Sequence, residues 1–150
     1  MESILSRLVY DMSLRVRLMN SDLTFDKRIV DLTERESLLI ELVGAKENMR
    51  ISDISKLFPR VSASTISTTI TRLWKERGVL NKTILPENQR VTIVNLTEKG
   101  RRILQDIRAA HISMYSTVED SLGMNSRELN WLSGKIKNSI EFFDQQFNSH

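Results

Sequence analysis

The sequence predicts a mainly α-helical fold with one small β-hairpin, and three observations lead there. Apolar residues recur at helical spacing near both ends: Leu5, Leu8, Val9, Met12, Val16 and Met19 at the start, Leu129, Leu132, Ile136, Ile140, Phe143 and Phe147 at the finish. In the middle, Ile51, Ile54, Leu57 and Phe58 mark a short helix; after the turn Pro59-Arg60-Val61, a second carries Ile66, Ile70, Leu73 and Trp74 at i, i+4, i+7 and i+8, a single buried stripe. Finally, residues 79–85 and 91–96 are rich in β-branched side chains and flank Pro86-Glu87-Asn88-Gln89, which reads as a hairpin.

The first helix is expected over residues 3–20, interrupted by Asn20-Ser21-Asp22, with an irregular or loosely helical segment to Leu32. Thr33-Glu34-Arg35-Glu36 is a capping box, because the Thr hydroxyl can accept from the Glu36 amide while Glu36 reaches back. It opens a helix carrying Leu38, Leu39, Leu42 and Val43 and ending at Gly44. Residues 49–51 leave room for one short strand. Ser52 is expected to cap a helix over 53–58, and Ser62 a longer one ending at Arg77, with Gly78 in the left-handed position that stops it. After the hairpin, Leu96-Thr97 begins a long helix over 98–121, with Ile103, Leu104, Ile107, Met114 and Val118 as its apolar positions. Asn125-Ser126-Arg127-Glu128 is a second capping box and opens the last helix.

At 150 residues the chain fits one domain, 1–150, large enough to bury a core. A hydrophobic content of 40% and a charged content of 27% place it among folded rather than disordered sequences. No apolar run approaches the roughly 20 residues that cross a bilayer, and the N-terminus alternates apolar with charged residues, unlike a signal peptide. A cytoplasmic protein is expected. The absence of cysteine excludes disulfides and thiolate metal sites within the sequence.

The net charge of +3 is unevenly spread. Residues 56–108 hold eleven Lys/Arg against four Asp/Glu, a net +7, and the remainder of the chain is net −4. A positive middle between acidic ends is the footprint of a duplex-binding segment. Opposite the stripe of the second short-pair helix lie Ser64, Ser67, Thr68, Thr71 and Lys75, small hydrogen-bonding residues and one cation. A helix exposing such a face just after a short helix and a tight turn suits the DNA major groove.

This order of elements resembles the MarR (multiple-antibiotic-resistance regulator) family of winged-helix proteins. The matching residues are Leu32-Thr33, Ile54-Ser55-Lys56-Leu57, Ser64-Thr65-Ile66-Ser67, Arg72-Leu73-Trp74-Lys75-Glu76-Arg77-Gly78-Val79 and Val94-Asn95-Leu96-Thr97-Glu98-Lys99-Gly100. The resemblance implies a winged helix-turn-helix DNA-binding lobe over 32–108, with residues 1–31 and 109–150 forming dimerisation helices. It also implies an obligate homodimer, joined through the first, fifth and sixth helices, on palindromic operator DNA. The family's wing usually carries Asp-x-Arg; here the matching residues are Asn88-Gln89-Arg90, so the carboxylate is replaced by an amide, a weaker acceptor.

The expected DNA contacts follow from residue chemistry. Ser62 caps the recognition helix, and Ser64, Thr65, Ser67, Thr68 and Thr71 present hydroxyls and methyls to base edges. Such groups discriminate less sharply than a bidentate Arg or Asn, so Arg72, bound water and DNA shape are expected to add specificity. Lys56, Arg60, Arg72, Lys75 and Lys82 are candidate phosphate contacts, and Asn88, Gln89 and Arg90 form the wing tip, with Arg90 aimed at the minor groove or at phosphate. By the resemblance, Tyr10, Arg15, His111, Met114 and Tyr115 line a crevice for a small aromatic or phenolic acid.

No catalytic arrangement emerges. His111 and His150 are the only histidines, no phosphate-cradling glycine loop exists, and neither cofactor nor metal is expected. The expected function is a transcription regulator, a repressor relieved by ligand. The alternatives are a winged-helix module for protein–protein contact and a non-specific architectural DNA binder.

Overall fold

The computed structural model describes residues 3–22 and 32–148, the side chains of 20–22, 147 and 148 excepted. The expected irregular segment before Leu32, and the side chain of Phe147, lie outside the described residues. Among the described residues, six helices and three strands follow one another as α1 (Ile4–Asp22), α2 (Glu34–Ala45), β1 (Met49–Arg50), α3 (Ile51–Lys56), α4 (Ala63–Lys75), β2 (Leu80–Leu85), β3 (Asn88–Leu96), α5 (Glu98–Ser121) and α6 (Ser126–Asn148). The mainly α fold with a hairpin wing is therefore as the sequence indicated. Helix α1 runs past Asn20 to Asp22, because one turn of polar residues does not break a helix that contains no Gly or Pro.

The caps explain most boundaries. Thr33 Oγ1 accepts from the Glu36 amide at 3.2 Å, and the Glu36 carboxylate accepts from the Thr33 amide at 3.1 Å, closing the box that starts α2. Ser62 Oγ accepts from the Thr65 amide at 3.2 Å at the start of α4, and Thr97 Oγ1 from the Gly100 amide at 3.0 Å at the start of α5. Asn125 and Glu128 form the reciprocal pair before α6. Ser52 is not a cap: α3 begins one residue earlier at Ile51, behind Arg50, whose side chain makes no capping bond. Extended backbone at Arg50 leads directly from β1 into α3 and leaves Ser52 inside the first turn.

Helix α4 ends at Lys75 rather than Arg77, and the chain reverses through Gly78 at φ +65. The three strands form one antiparallel sheet in the order β1-β3-β2. The hairpin turn is shorter than expected. Leu85 pairs with Asn88 across Pro86-Glu87, so Asn88 and Gln89 already belong to β3. The next pair is Ile84 with Thr92, which leaves Gln89, Arg90 and Val91 as a bulge at the wing tip.

The core gathers Leu39, Ile40 and Val43 of α2, Ile54 of α3, Ile66, Ile70 and Leu73 of α4, Val79, Leu80, Val94 and Leu96 around the sheet, and Ile103, Leu104 and Ile107 of α5. The buried stripe of α2 is Glu36-Leu39-Ile40-Val43; Leu38 is exposed and Leu42 half-buried, a rotation of the expected face by about one residue. The salt bridge of Glu36 with Arg72 of α4 fixes that rotation. Trp74 is not part of the buried stripe of α4. It is 37% exposed and lies beside the wing, because Leu73 already fills the core at that turn.

Two glycines serve close packing. A Cβ on Gly44 would lie 2.2 Å from Leu104 Cδ2, so Gly44 sits inside α2 as a contact for α5 and does not end the helix. A Cβ on Gly100 would lie 2.2 Å from the Val79 carbonyl oxygen. A backbone atom cannot rotate away, so Gly100→Ala must push α5 off the Gly78–Val79 turn. We expect it to destabilise the protein by about 1–3 kcal/mol, read as a lower urea midpoint at unchanged slope.

Candidate nucleic-acid interface

Helix α4 is held by its apolar side and by both its ends. Ile66, Ile70 and Leu73 are fully buried, which turns Ser64, Thr68 and Lys75 to solvent, with Ser67 and Thr71 half-exposed beside them. The hydroxyls are already ordered. Ser62 Oγ lies 2.7 Å from Thr65 Oγ1 and 3.2 Å from Ser64 Oγ. Thr68 Oγ1 donates to the Ser64 carbonyl at 2.8 Å, and Thr69 Oγ1 to the Thr65 carbonyl at 2.9 Å. The proton of Thr68 is thus committed to its own helix, and what it offers outward is oxygen lone pairs and a methyl group.

Arg72, expected to add specificity, is engaged in two ion pairs. Its Nη1 lies 3.2 Å from Glu36 Oε1 and its Nε 3.5 Å from Glu76 Oε2. Glu36 is only 1% exposed and is the buried charged residue among the described ones. Removing a carboxylate from water is costly unless it is paired, and Arg72 together with the Thr33 amide supplies the pairing. Arg72 is therefore first a structural partner for Glu36, and it reaches solvent with about half of its side chain.

Trp74 is a residue that sequence reasoning misplaced. Lys75 Nζ and Lys82 Nζ stand 5.2 and 5.1 Å from its ring centroid, within cation–π range. Lys82 Nζ also approaches Thr71 Oγ1 at 3.4 Å. This cluster joins the C-terminal half of α4 to strand β2, so two cations and an aromatic face border the groove-sized face of the helix. The signal in the sequence was weak: Trp74 falls at the edge of the apolar stripe, where helical spacing alone permits either burial or exposure.

At the wing, Asn88 Oδ1 accepts from the Arg90 amide at 3.1 Å. The amide side chain thus ties down the bulge that carries Arg90 by a bond to the backbone. Gln89 and Arg90 are exposed. Lys56 and Arg60 flank the turn between α3 and α4 and are also exposed.

The five residues expected to line a ligand crevice do not converge in the single chain. Tyr10 is exposed, and Arg15 Nη1 donates to the Asp11 carbonyl of its own helix at 2.8 Å. Met114 is buried in α5. His111 Nδ1 lies 3.4 Å from Glu41 Oε1, and its ring packs against Tyr115 at 6.5 Å between centroids. Tyr115 alone of the five lines a cleft of about 300 Å³ between α1 and α5, beside Val9, Met12, Val16 and Arg17.

The comparisons with known proteins agree with this geometry. Residues 32–100 match the family model described as a winged helix DNA-binding domain. No curated protein matches the sequence. Among solved structures, the chain is similar to FabT of Streptococcus pneumoniae in complex with DNA, at 22% identity and a TM-score of 0.71, over 95% of this chain and 96% of that one. It is similar to MarR at 18% identity and a TM-score of 0.67, over 99% and 96%. It is also similar to a mutant of S. aureus MepR bound to an oligodeoxyribonucleotide, at 16% identity and a TM-score of 0.58, over 95% and 99%.

Because Arg72 neutralises a buried carboxylate, Arg72→Ala should destabilise the fold by about 2 kcal/mol or more. Adding Glu36→Gln, which keeps an acceptor for the Thr33 amide without the charge, should recover most of the loss in a chemical-denaturation double-mutant cycle. Residues 32–100 are thus similar to a winged helix DNA-binding domain, set within a fold that the whole chain shares with MarR.

Proposed function

We propose that this protein is a sequence-specific DNA-binding transcription repressor of the MarR family that acts as a homodimer on a pseudo-palindromic operator. The observation that carries the reading is the outward face of α4. Ser64, Ser67, Thr68 and Thr71 sit on a helix fixed by a full apolar stripe, with Lys75, Lys82 and the wing residues Asn88, Gln89 and Arg90 at its border. Solved neighbours of the same fold, FabT and MepR, carry DNA. In this reading α4 enters the major groove, Lys75 and Lys82 meet phosphate, and Arg90 reaches the adjacent groove or backbone.

The terminal helices support the dimer. In the single chain, Leu5, Leu8 and Val9 of α1, and Trp131, Ile136, Ile140, Phe142 and Phe143 of α6, are half-exposed or more. So much apolar surface on two long helices is what a second copy would cover. A two-fold dimer places two α4 helices toward successive major grooves about one helical turn apart. Repression is then steric, and a ligand favouring another spacing of the two α4 helices would relieve it by a population shift. The domain division follows: residues 32–108 as the DNA-binding lobe, 1–31 and 109–150 as the dimerisation part.

Two measurements check this. In anisotropy titrations on the selected operator, Thr68→Ala should weaken specific binding by about 1–3 kcal/mol without altering the salt dependence. Lys82→Ala should weaken binding to every duplex and reduce the slope of log K against log salt by about one. Equal affinity of the unaltered protein for all duplexes would instead indicate an architectural binder, and no binding at low salt a protein-contact module. In sedimentation experiments the unaltered chain should run as a dimer, whereas Ile140→Asp should lower the dimer fraction and reduce operator affinity by more than about a hundredfold.

A further inference from the structure

We propose that Trp74 is a positioning residue for DNA: its ring gathers Lys75 of α4 and Lys82 of β2 into one clamp for a backbone phosphate. The clamp rests on the DNA-binding reading above and names the part of the duplex that this corner meets. Two ammonium groups from different elements stand 5.2 and 5.1 Å from the centroid of one ring. Like charges repel, yet among the described residues neither ammonium has a carboxylate partner. The acid next to Lys75 in the chain, Glu76, is engaged by Arg72 at 3.5 Å. The aromatic face attracts each cation but brings no counter-charge. The corner thus holds two positive charges and no anion of its own.

The ring lies where both elements can reach it. Leu80 is buried, and Lys82, two residues farther along β2, shares its face of the strand. Lys82 Nζ consequently comes to the flank of α4, 3.4 Å from Thr71 Oγ1, about one turn before Trp74. Lys75 follows Trp74 directly and is the last residue of α4. Trp74 itself remains 37% exposed, so the cluster stays open to a ligand from solvent.

What the ring supplies is order. A free lysine side chain has many rotamers, and fixing it on a ligand costs conformational entropy. Ammonium groups already lodged on an aromatic face have lost part of that freedom before binding. Each carries three donors; Lys82 directs one at Thr71, and the others are left for phosphate oxygens. The cluster borders the hydroxyl face of α4, and a helix lying in the major groove has a phosphate strand along its border. Phosphate carries no base information. Trp74 therefore acts on affinity for every duplex alike, whereas Thr68 acts on the operator.

The test is anisotropy titration of the full chain on the selected operator and on random duplexes. Trp74→Leu should weaken both about fivefold, and Trp74→Met, which keeps apolar bulk without a ring, should do the same. Trp74→Phe, which keeps an aromatic face, should weaken neither by more than about twofold. Lys82→Ala should cost about fivefold with Trp74 present and less than about twofold once Trp74 is replaced by Leu or Met.

Operators with one phosphate at a time replaced by an uncharged methylphosphonate locate the contact. At least one replacement in each half-site should weaken the unaltered protein and the Phe variant about fivefold, and the Leu and Met variants less than about twofold. A ring that merely packed the wing onto α4 would not single out one phosphate. The clamp is overturned if the ringless variants bind as the unaltered protein does, or lose operator affinity far more than random affinity. It is equally overturned if Phe behaves as Leu, or if every phosphate matters as much without the ring as with it. In all these outcomes DNA binding itself stands. Failure of the unaltered protein to bind any duplex at low salt overturns the DNA reading, and the clamp with it.

Discussion

The contact of Gly100 with the Val79 carbonyl is the joint on which the arrangement of helix, wing and α5 depends. It brings the start of α5 against the turn that follows α4, at a distance only a glycine permits. The same few residues add directional bonds. Thr97 Oγ1 donates to the Gly78 carbonyl at 2.7 Å, the Thr97 amide to the Val79 carbonyl at 3.1 Å, and Lys99 Nζ to the Arg77 carbonyl at 2.8 Å. One segment thus satisfies the successive carbonyls of Arg77, Gly78 and Val79, which lie open where α4 stops. The wing leaves from this joint and returns to it, since Leu80 pairs with Leu96 at the base of the hairpin. The segments Arg72–Val79 and Val94–Gly100, both among those that carry the family resemblance, are therefore the two halves of one physical contact.

Glu36 adds a constraint of a different kind. It closes the capping box of α2 and neutralises Arg72 of α4, so a single buried carboxylate sets both the start of one helix and its rotation against another. A hydrophobic pair could fill the same space, but it would not fix which turn of α2 meets which turn of α4, as a bond of fixed partners does. Farther along the same helix, Glu41 faces His111 of α5, an interaction that becomes an ion pair when the imidazole is protonated. Helix α2 consequently holds a polar contact to α4 at one end and to α5 near the other, with Gly44 packed on Leu104 beyond it.

The outward face of α4 carries the short hydroxyl side chains of Ser64, Ser67, Thr68 and Thr71 rather than long cations. Side chains of Ser and Thr lose little conformational entropy on binding, and those of Ser64, Thr65, Thr68 and Thr69 are already bonded to the Ser62 hydroxyl or to helix carbonyls. Cationic reach is supplied from the border instead, by Lys75 and Lys82 stacked on Trp74 and by the wing bulge. In the proposed DNA-binding reading, such a division would leave the hydroxyl face of α4 to approach bases while Lys75 at its end, Lys82 and the wing meet phosphate.

Much of this was legible in the sequence alone. Helix periods, the caps at Thr33, Ser62 and Asn125, the Gly78 stop and the hairpin are local properties, set by side chains within a few residues of each other. The hydroxyl face of α4 was legible for the same reason, as the complement of Ile66, Ile70 and Leu73. What only the tertiary structure decided involves partners distant in the chain. Arg72 became the counter-charge of Glu36, Trp74 moved to the surface beside Lys82, and Gly44 turned from a helix stop into a packing contact for Leu104. Local periodicity says which face of a helix is apolar, but only the packing of one element on another says which neighbour a borderline side chain meets, and that neighbour settles its role.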